Sequence, residues 1–354
     1  MRPRHAGWLL ALALVSGCAS ASKGADREIP AGTITIGFPT DVHRDGEISN
    51  GAKIAAREIN GAGGIERALR LRLLVRDTRR EPARAGRLAR SLLAEGARVL
   101  IVPCDVDSAR SVVRAARGHR VLLLGTCNYD PALVDRTASY WGSAVGANVE
   151  MAALADYLAG EGFSAVYVTP PDEPEGKQLE RYFRVAAADR GIDVVPEPTP
   201  KTALVSLRWA GFTAAFAAGV RSAYAVVGTD LADGAQTRAA DDLVFTTFAY
   251  PDPAFATDEF YDRYRARYGV HPSSSRSILG YAVVKLLEHV VERAQSAALP
   301  AVTDELRGLS WTSPLGDVSY AHGRNPDVEV PIVRVNERRL ELVTRASPDE
   351  VPAP

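Results

Sequence analysis

Apolar positions recur along this chain in two periods, and the switching between them outlines its organisation. Residues 34–38 (ITIGF) form a short apolar run of strand length, and 50–61 (NGAKIAAREING) space their apolar side chains as a helix does. The glycine cluster at 61–64 follows that helix instead of joining a strand to a helix, so it reads as a C-cap and turn and not as a phosphate loop. Next come a strand at 69–77, a helix at 82–96 with Pro82 in its first turn, a strand at 99–104, a helix at 108–118 and a strand at 121–126. A second series begins near residue 144, with helix 145–160, strand 165–170, helix 175–190, strand 192–196, helix 203–220, and strands 223–228 and 243–248. Helices at 256–268 and 274–296 follow, and strands at 317–320 and 329–335 close the pattern. This alternation predicts an α/β fold of doubly wound parallel sheets. The two series read as two Rossmann-like lobes, with a crossover near residue 140 and returns after 250.

The first 18 residues stand apart. Arg2, Arg4 and His5 precede an apolar stretch at 8–15 (WLLALALV). Eight residues cannot cross about 30 Å of hydrocarbon, which takes about 20 in a helix, so the stretch reads as an export signal. Val15, Ser16, Gly17 and Cys18 resemble a bacterial lipobox, in which small residues admit the peptidase and the cysteine thiol takes the lipid. The alternative is a plain signal peptide cut near Ala19, Ser20 and Ala21. Ala19, not Asp, follows Cys18, which favours the outer membrane in a Gram-negative envelope. The expected organisation is a signal at 1–18, a flexible tether at 19–31, lobe I at 32–140 plus 251–316, lobe II at 141–250 plus 317–345, and a disordered tail at 346–354.

Composition narrows the function. A length of 354 residues suits two domains. With 42 Lys+Arg against 43 Asp+Glu the formal net charge is −1, and the arginines alternate with acids, which argues against a nucleic-acid partner. The histidines (5, 43, 119, 271, 289 and 322) are scattered singly, and the chain has no G-x-S-x-G, G-x-x-x-x-G-K-[ST] or H-E-x-x-H motif. Neither a metal nor a cofactor is expected, nor catalysis. Export would place Cys104 and Cys127 in an oxidising compartment. Each ends an apolar run on what should be adjacent parallel strands, about 4.8 Å apart and within disulfide reach. A Cys104–Cys127 pair with an acylated Cys18 would account for all 3 cysteines; two unpaired buried thiols are the alternative.

In an open α/β sheet, ligands bind at the carboxyl ends of the strands, where helix N-termini expose N–H groups. Three such ends are rich in polar residues: Pro39, Thr40 and Asp41; Cys104, Asp105, Val106, Asp107 and Ser108; and Thr126, Cys127, Asn128, Tyr129 and Asp130. Asp107 or Ser108 also reads as a helix N-cap.

The order and spacing of several segments resemble the type I periplasmic solute-binding proteins, in their branched-chain amino-acid branch. The segments include ITIGFPT at 34–40, NGAKIAAREINGAGGI at 50–65, LRLLVRDTRREPARA at 71–85, EFYDRYRARYGVHPS at 259–273, GYAVVKLLEHVVERA at 280–294 and LRGLSWTSPLGDVSY at 306–320. The resemblance spans residues 32–345. It implies a two-lobed cleft that closes on a small solute and delivers it to the permease of an ABC importer, often from a lipid anchor, in agreement with Cys18. It also implies a ligand carboxylate held by the turns that here carry Asp105, Asp107 and Ser108, and Cys127, Asn128 and Tyr129. Two carboxylates in the first turn oppose an anion there, so a neutral polar or cationic solute fits that turn better than a simple α-amino acid, within an expected class of small polar solutes such as amino acids, amides and related compounds. Glu175, Asp230 and Tyr250 fall where second-lobe contacts are implied. The interval 198–224 is too short for the strand and helix that members carry, so a shortened second lobe is expected. That shortening motivates a second reading, a non-transporting envelope sensor that binds a protein partner. A third reading, an enzyme, would need an acid–base pair such as Asp105 with Glu175.

Overall fold

β1 (Gly32–Thr40) is the organising strand of the first sheet. It is buried from Ile34 onward and pairs in parallel with β2 (Leu69–Asp77) on one side and β3 (Val99–Val102) on the other. The sheet continues in parallel through β4 (Leu122–Gly125) to β5 (Tyr140–Gly142), giving the order β2-β1-β3-β4-β5. β3 and β4 read VLIV and LLLG because helices cover both faces, and every residue in them is buried. The computed structural model describes residues 29, 31–171, 173–207, 214–215, 224–227, 242–250, 257–337 and 339–347. Cys18 and the rest of the signal, nearly all of the tether, and residues 348–354 of the tail lie outside them; Ala346, expected in the tail, is instead the last residue of a strand.

Three helices join the strands of this sheet: α1 (Gly46–Gly61), α2 (Pro82–Ala94) and α3 (Val106–Ala116). The second sheet is built from β6 (Ala165–Val168), β7 (Asp193–Val195), β8 (Ala203–Ser206), β9 (Tyr224–Val227) and β10 (Val244–Thr246), all parallel, with β14 (Val330–Asn336) and β15 (Arg339–Ala346) added antiparallel at one edge. α4 (Ala147–Gly160) and α5 (Pro174–Asp189) pack on each other, and α4 also meets β14.

The chain passes between these bodies three times. It leaves the first sheet after β5 for α4, and it returns after β10 to α6 (Thr257–Tyr268) and α7 (Ser277–Ala294), which lie against α1. α8 (Leu299–Leu306) and a small antiparallel sheet of β11 (Ser310–Ser313), β12 (Gly316–Ser319) and β13 (Asp327–Val328) precede the last passage, into β14. At that passage the Tyr320 hydroxyl donates to the Gly142 carbonyl at 2.7 Å, and its ring meets the edge of Trp141 at 5.5 Å. α1 and α7 touch backbone to backbone: a Cβ on Gly280 would overlap the Ile48 carbonyl, and one on Gly51 the Ser277 carbonyl.

The expected helix at 203–220 begins instead as β8, paired in parallel with β6 and β9. Residues 202–206 are buried throughout, and a short apolar run buried on both faces has no period that separates strand from helix. A strand therefore stands within 198–224, while most of the interval after it, 208–213 and 216–223, lies outside the described residues. β5, α8, β11, β13 and β15 were not anticipated; each is short or lies at an edge.

Candidate functional site

β1 delivers its last residue, Thr40, fully buried, and the chain then turns sharply. The Asp41 carboxylate accepts the N–H groups of His43 at 3.0 Å and Arg44 at 3.4 Å, an Asx-type turn that projects Arg44 past the strand end. Asp45 ends the turn, 2% exposed at its side chain, and receives Arg276 Nη1 at 3.0 Å from the residue preceding α7. β2 ends at Asp77, and Arg80 follows within three residues. From the second sheet, the chain after β6 brings in Glu173, the N-cap of α5, and Glu175 in its first turn. Glu173 accepts Arg44 Nη2 at 3.0 Å on one oxygen and lies 3.6 Å from Arg80 on the other. Arg44, Arg80, Asp105, Tyr129, Glu175 and Arg276, with Asp41, Asp45 and Cys104, line one narrow space between the sheets.

The turn after β3 supplies Asp105, and its role is double. Its carboxylate accepts the Ser108 N–H at 2.6 Å and so caps α3, where the sequence had suggested Asp107 or Ser108 as the cap. It also lies against the Glu175 carboxyl across the space. Burial pushes Glu175 above the usual carboxylate range; its own N–H and Arg44 oppose the shift, and the negative Asp105 reinforces it. Asp105 and Glu175, which an enzymatic reading would pair, thus do meet.

The remaining expected residues divide. Tyr129 lines the space, 3% exposed, with its ring 6.1 Å from that of Phe248. Thr40 and Ser108 are fully buried beside it in sequence, and neither hydroxyl has a hydrogen-bond partner. Cys127 is bonded to Cys104 with Cα atoms 5.0 Å apart, and Cys104 lies at the wall of the space. Asp107 is half-exposed and faces Arg110 at 3.5 Å, away from the space. Asn128, held at φ 46°, donates to the Ala144 carbonyl and to Asn325, and ties the turn down. The Tyr250 hydroxyl donates to the Leu340 carbonyl on β15 and does not join the group. Asp230 lies outside the described residues.

The sequence reading missed the cations. Arg44 and Arg80 each follow a strand's carboxyl end, the rule that singled out Thr40, and could have been found by it. Arg276 is 231 residues from Asp45, and no local signal marks it. With three arginines in place, the site is a mesh of ion pairs and not the simply acidic cleft expected from Asp105 and Asp107. Among the described residues no group of three or more His, Cys, Asp or Glu is arranged to hold a metal ion, and no helix is long and apolar enough to cross a membrane.

Several solved structures share this architecture. The branched-chain amino acid transporter substrate-binding protein LivJ from Streptococcus pneumoniae, in complex with isoleucine, superposes with a TM-score of 0.76 over 89% of this chain and 100% of its own, at 17% identity. A solute-binding protein of an ABC transporter from R. palustris, in complex with benzoate, gives 0.76 over 91% and 98% at 15% identity. The leucine-binding protein LivK from Thermotoga maritima gives 0.73 over 89% and 99% at 16% identity. At such identities the likeness is one of fold. No curated protein matches the sequence. A periplasmic binding protein family model matches residues 33–207 and 206–339. The match takes in the first sheet, the second sheet apart from β15 and all three passages between them, and the chain belongs to the periplasmic binding protein family.

Proposed function

We propose that this chain is the extracytoplasmic solute-binding subunit of an ABC importer, taking a small polar solute, such as an amino acid or amide, between two lobes that close on it. The lobes are 32–140 with 251–316 and 141–250 with 317–345, and the three passages between the sheets serve as the hinge. One observation carries the reading. Arg44 Nη1 and Glu175 Oε2 are buried, have no hydrogen-bond partner, and line one space at the carboxyl ends of the first sheet's strands. A buried polar atom without a partner costs about 1–3 kcal/mol, and a solute offering one acceptor and one donor would satisfy both. The fold shared with proteins solved around isoleucine and benzoate supports a small-molecule occupant. No bond is made or broken in this role. Closure is selected by contacts that only the closed form makes.

Cys18 carries lipid in this reading and holds the protein at the envelope beside its permease. Intact mass of the mature protein tests the anchor: a diacylglyceryl-sized increment on Cys18, absent in Cys18→Ala, is expected. Solute binding is tested by stripping the protein through unfolding and refolding, then recording melting against amino acids, amines, amides and carboxylates. A specific solute should raise the melting temperature by linkage, about 2.7 kcal/mol at 100 times its Kd. A flat response across the panel would remove the transport role.

A further inference from the structure

The carboxyls around the space outnumber the arginines, and their pairing shows where the excess lies. Arg276 and Asp45 cancel as a buried pair. Arg44 and Arg80 share one carboxylate, Glu173, which leaves a single positive charge between them. Against it stand Asp41, whose carboxylate is engaged by backbone N–H groups, and the couple Asp105 and Glu175. The unmatched negative charge is therefore concentrated on Asp105 and Glu175, which come from opposite sheets. Glu175 is 2% exposed, and its Oε2 faces the space without a partner.

We propose that Asp105 and Glu175 form a clamp for the cationic group of the solute, an ammonium, amidinium or guanidinium seated between the Asp105 carboxylate and the open Oε2 of Glu175. The inference rests on the solute-binding reading above and names its substrate class: a small organic cation that also offers an acceptor to the open Nη1 of Arg44. Two N–H groups of such a cation can reach one carboxylate from each sheet. A cation there favours the closed arrangement over the open one, because only closure brings both carboxylates to it. A solute anion would bring a like charge to the pair, so carboxylates that lack a cationic centre are excluded.

The test uses shape-matched solutes of different charge with the stripped full chain. One series is leucinamide, leucine, 4-methylpentanamide and 4-methylpentanoate; the other is benzamidine, benzamide and benzoate. A broad set of amines, amidines, guanidines, amino acids, amides and carboxylates accompanies them, and calorimetry gives the affinities. Asp105→Asn and Glu175→Gln are isosteric, and Asn can still cap α3. The expected result is binding confined to solutes with a cationic centre, weakened at least tenfold by either substitution, while both variants keep the parent's melting temperature within a few degrees. Binding of anions or neutral amides in preference to cations, or cation affinity within threefold of the parent in Glu175→Gln, overturns the clamp and leaves the solute-binding role standing. No binding by any member of the whole set overturns both.

Discussion

Arg44 Nη2 lies 3.0 Å from Glu173 Oε2, and Arg80 reaches the other oxygen of the same carboxylate at 3.6 Å. The loops after β1 and β2 are thereby tied to the N-cap of α5, so one side chain of the second sheet holds two loops of the first. These pairs are partly exposed, and such pairs contribute about 0–1 kcal/mol each. Glu173→Gln should therefore change the melting temperature little. Because the pairs exist only when the sheets approach, the same substitution should speed solute release several-fold in stopped-flow measurements. An unchanged release rate would show that Glu173 plays no part in closure.

The Cys104–Cys127 bond closes a loop with a sequence separation of 23 residues beside the site. A loop of that size restricts the unfolded chain by about 3 kcal/mol in the chain-entropy account. The Cys104→Ser, Cys127→Ser double variant should lose stability of that order in denaturant titration. Thiol labelling of the exported, unreduced protein should find neither cysteine free, and labelling of both would place two thiols there instead.

The contact of α1 with α7 leaves no room at Gly280, where a Cβ would overlap backbone, not a movable side chain. Overpacking costs typically about 1–3 kcal/mol, and rigid neighbours put Gly280→Ala at the upper end. A lowered melting temperature in thermal unfolding is expected. Gly160→Ala is the control, because a Cβ there meets nothing within 4 Å.

Legibility in the sequence followed burial and range. β1, β3 and β4 stood out because strands covered by helices on both faces read as unbroken apolar runs ended by polar turns, and those turns marked Thr40, Asp105 and Tyr129 as candidates. β8 has the same continuous character, but it follows a loop in a segment where a buried helix reads identically, so the wrong element was expected. Asp107 and Asp105 are indistinguishable in sequence; the helical register of α3 separates them, turning Asp107 outward to Arg110 while Asp105 stays behind as the cap. Arg276 meets Asp45, and Glu173 meets Arg44, through tertiary approach across 231 and 129 residues, which no period or motif encodes.

Glu175 gives the protein a pH dependence whose sign can be worked out. Burial, reinforced by Asp105 against the opposing Arg44, raises its carboxyl above the unfolded value of about 4.3. Between that value and the raised one, the folded protein binds more protons than the unfolded chain, so stability falls as pH rises through the window. The empty protein should therefore gain stability from this group as pH drops from neutral toward the ordinary carboxylate range, with no further gain below it. Glu175→Gln keeps the shape and removes the titration. The difference in unfolding free energy between parent and variant, measured by denaturant titration across pH, should thus shrink from a deficit in the parent at neutral pH toward zero near pH ~4.3. A difference that stays constant across that range would mean that the Glu175 carboxyl is not raised by folding.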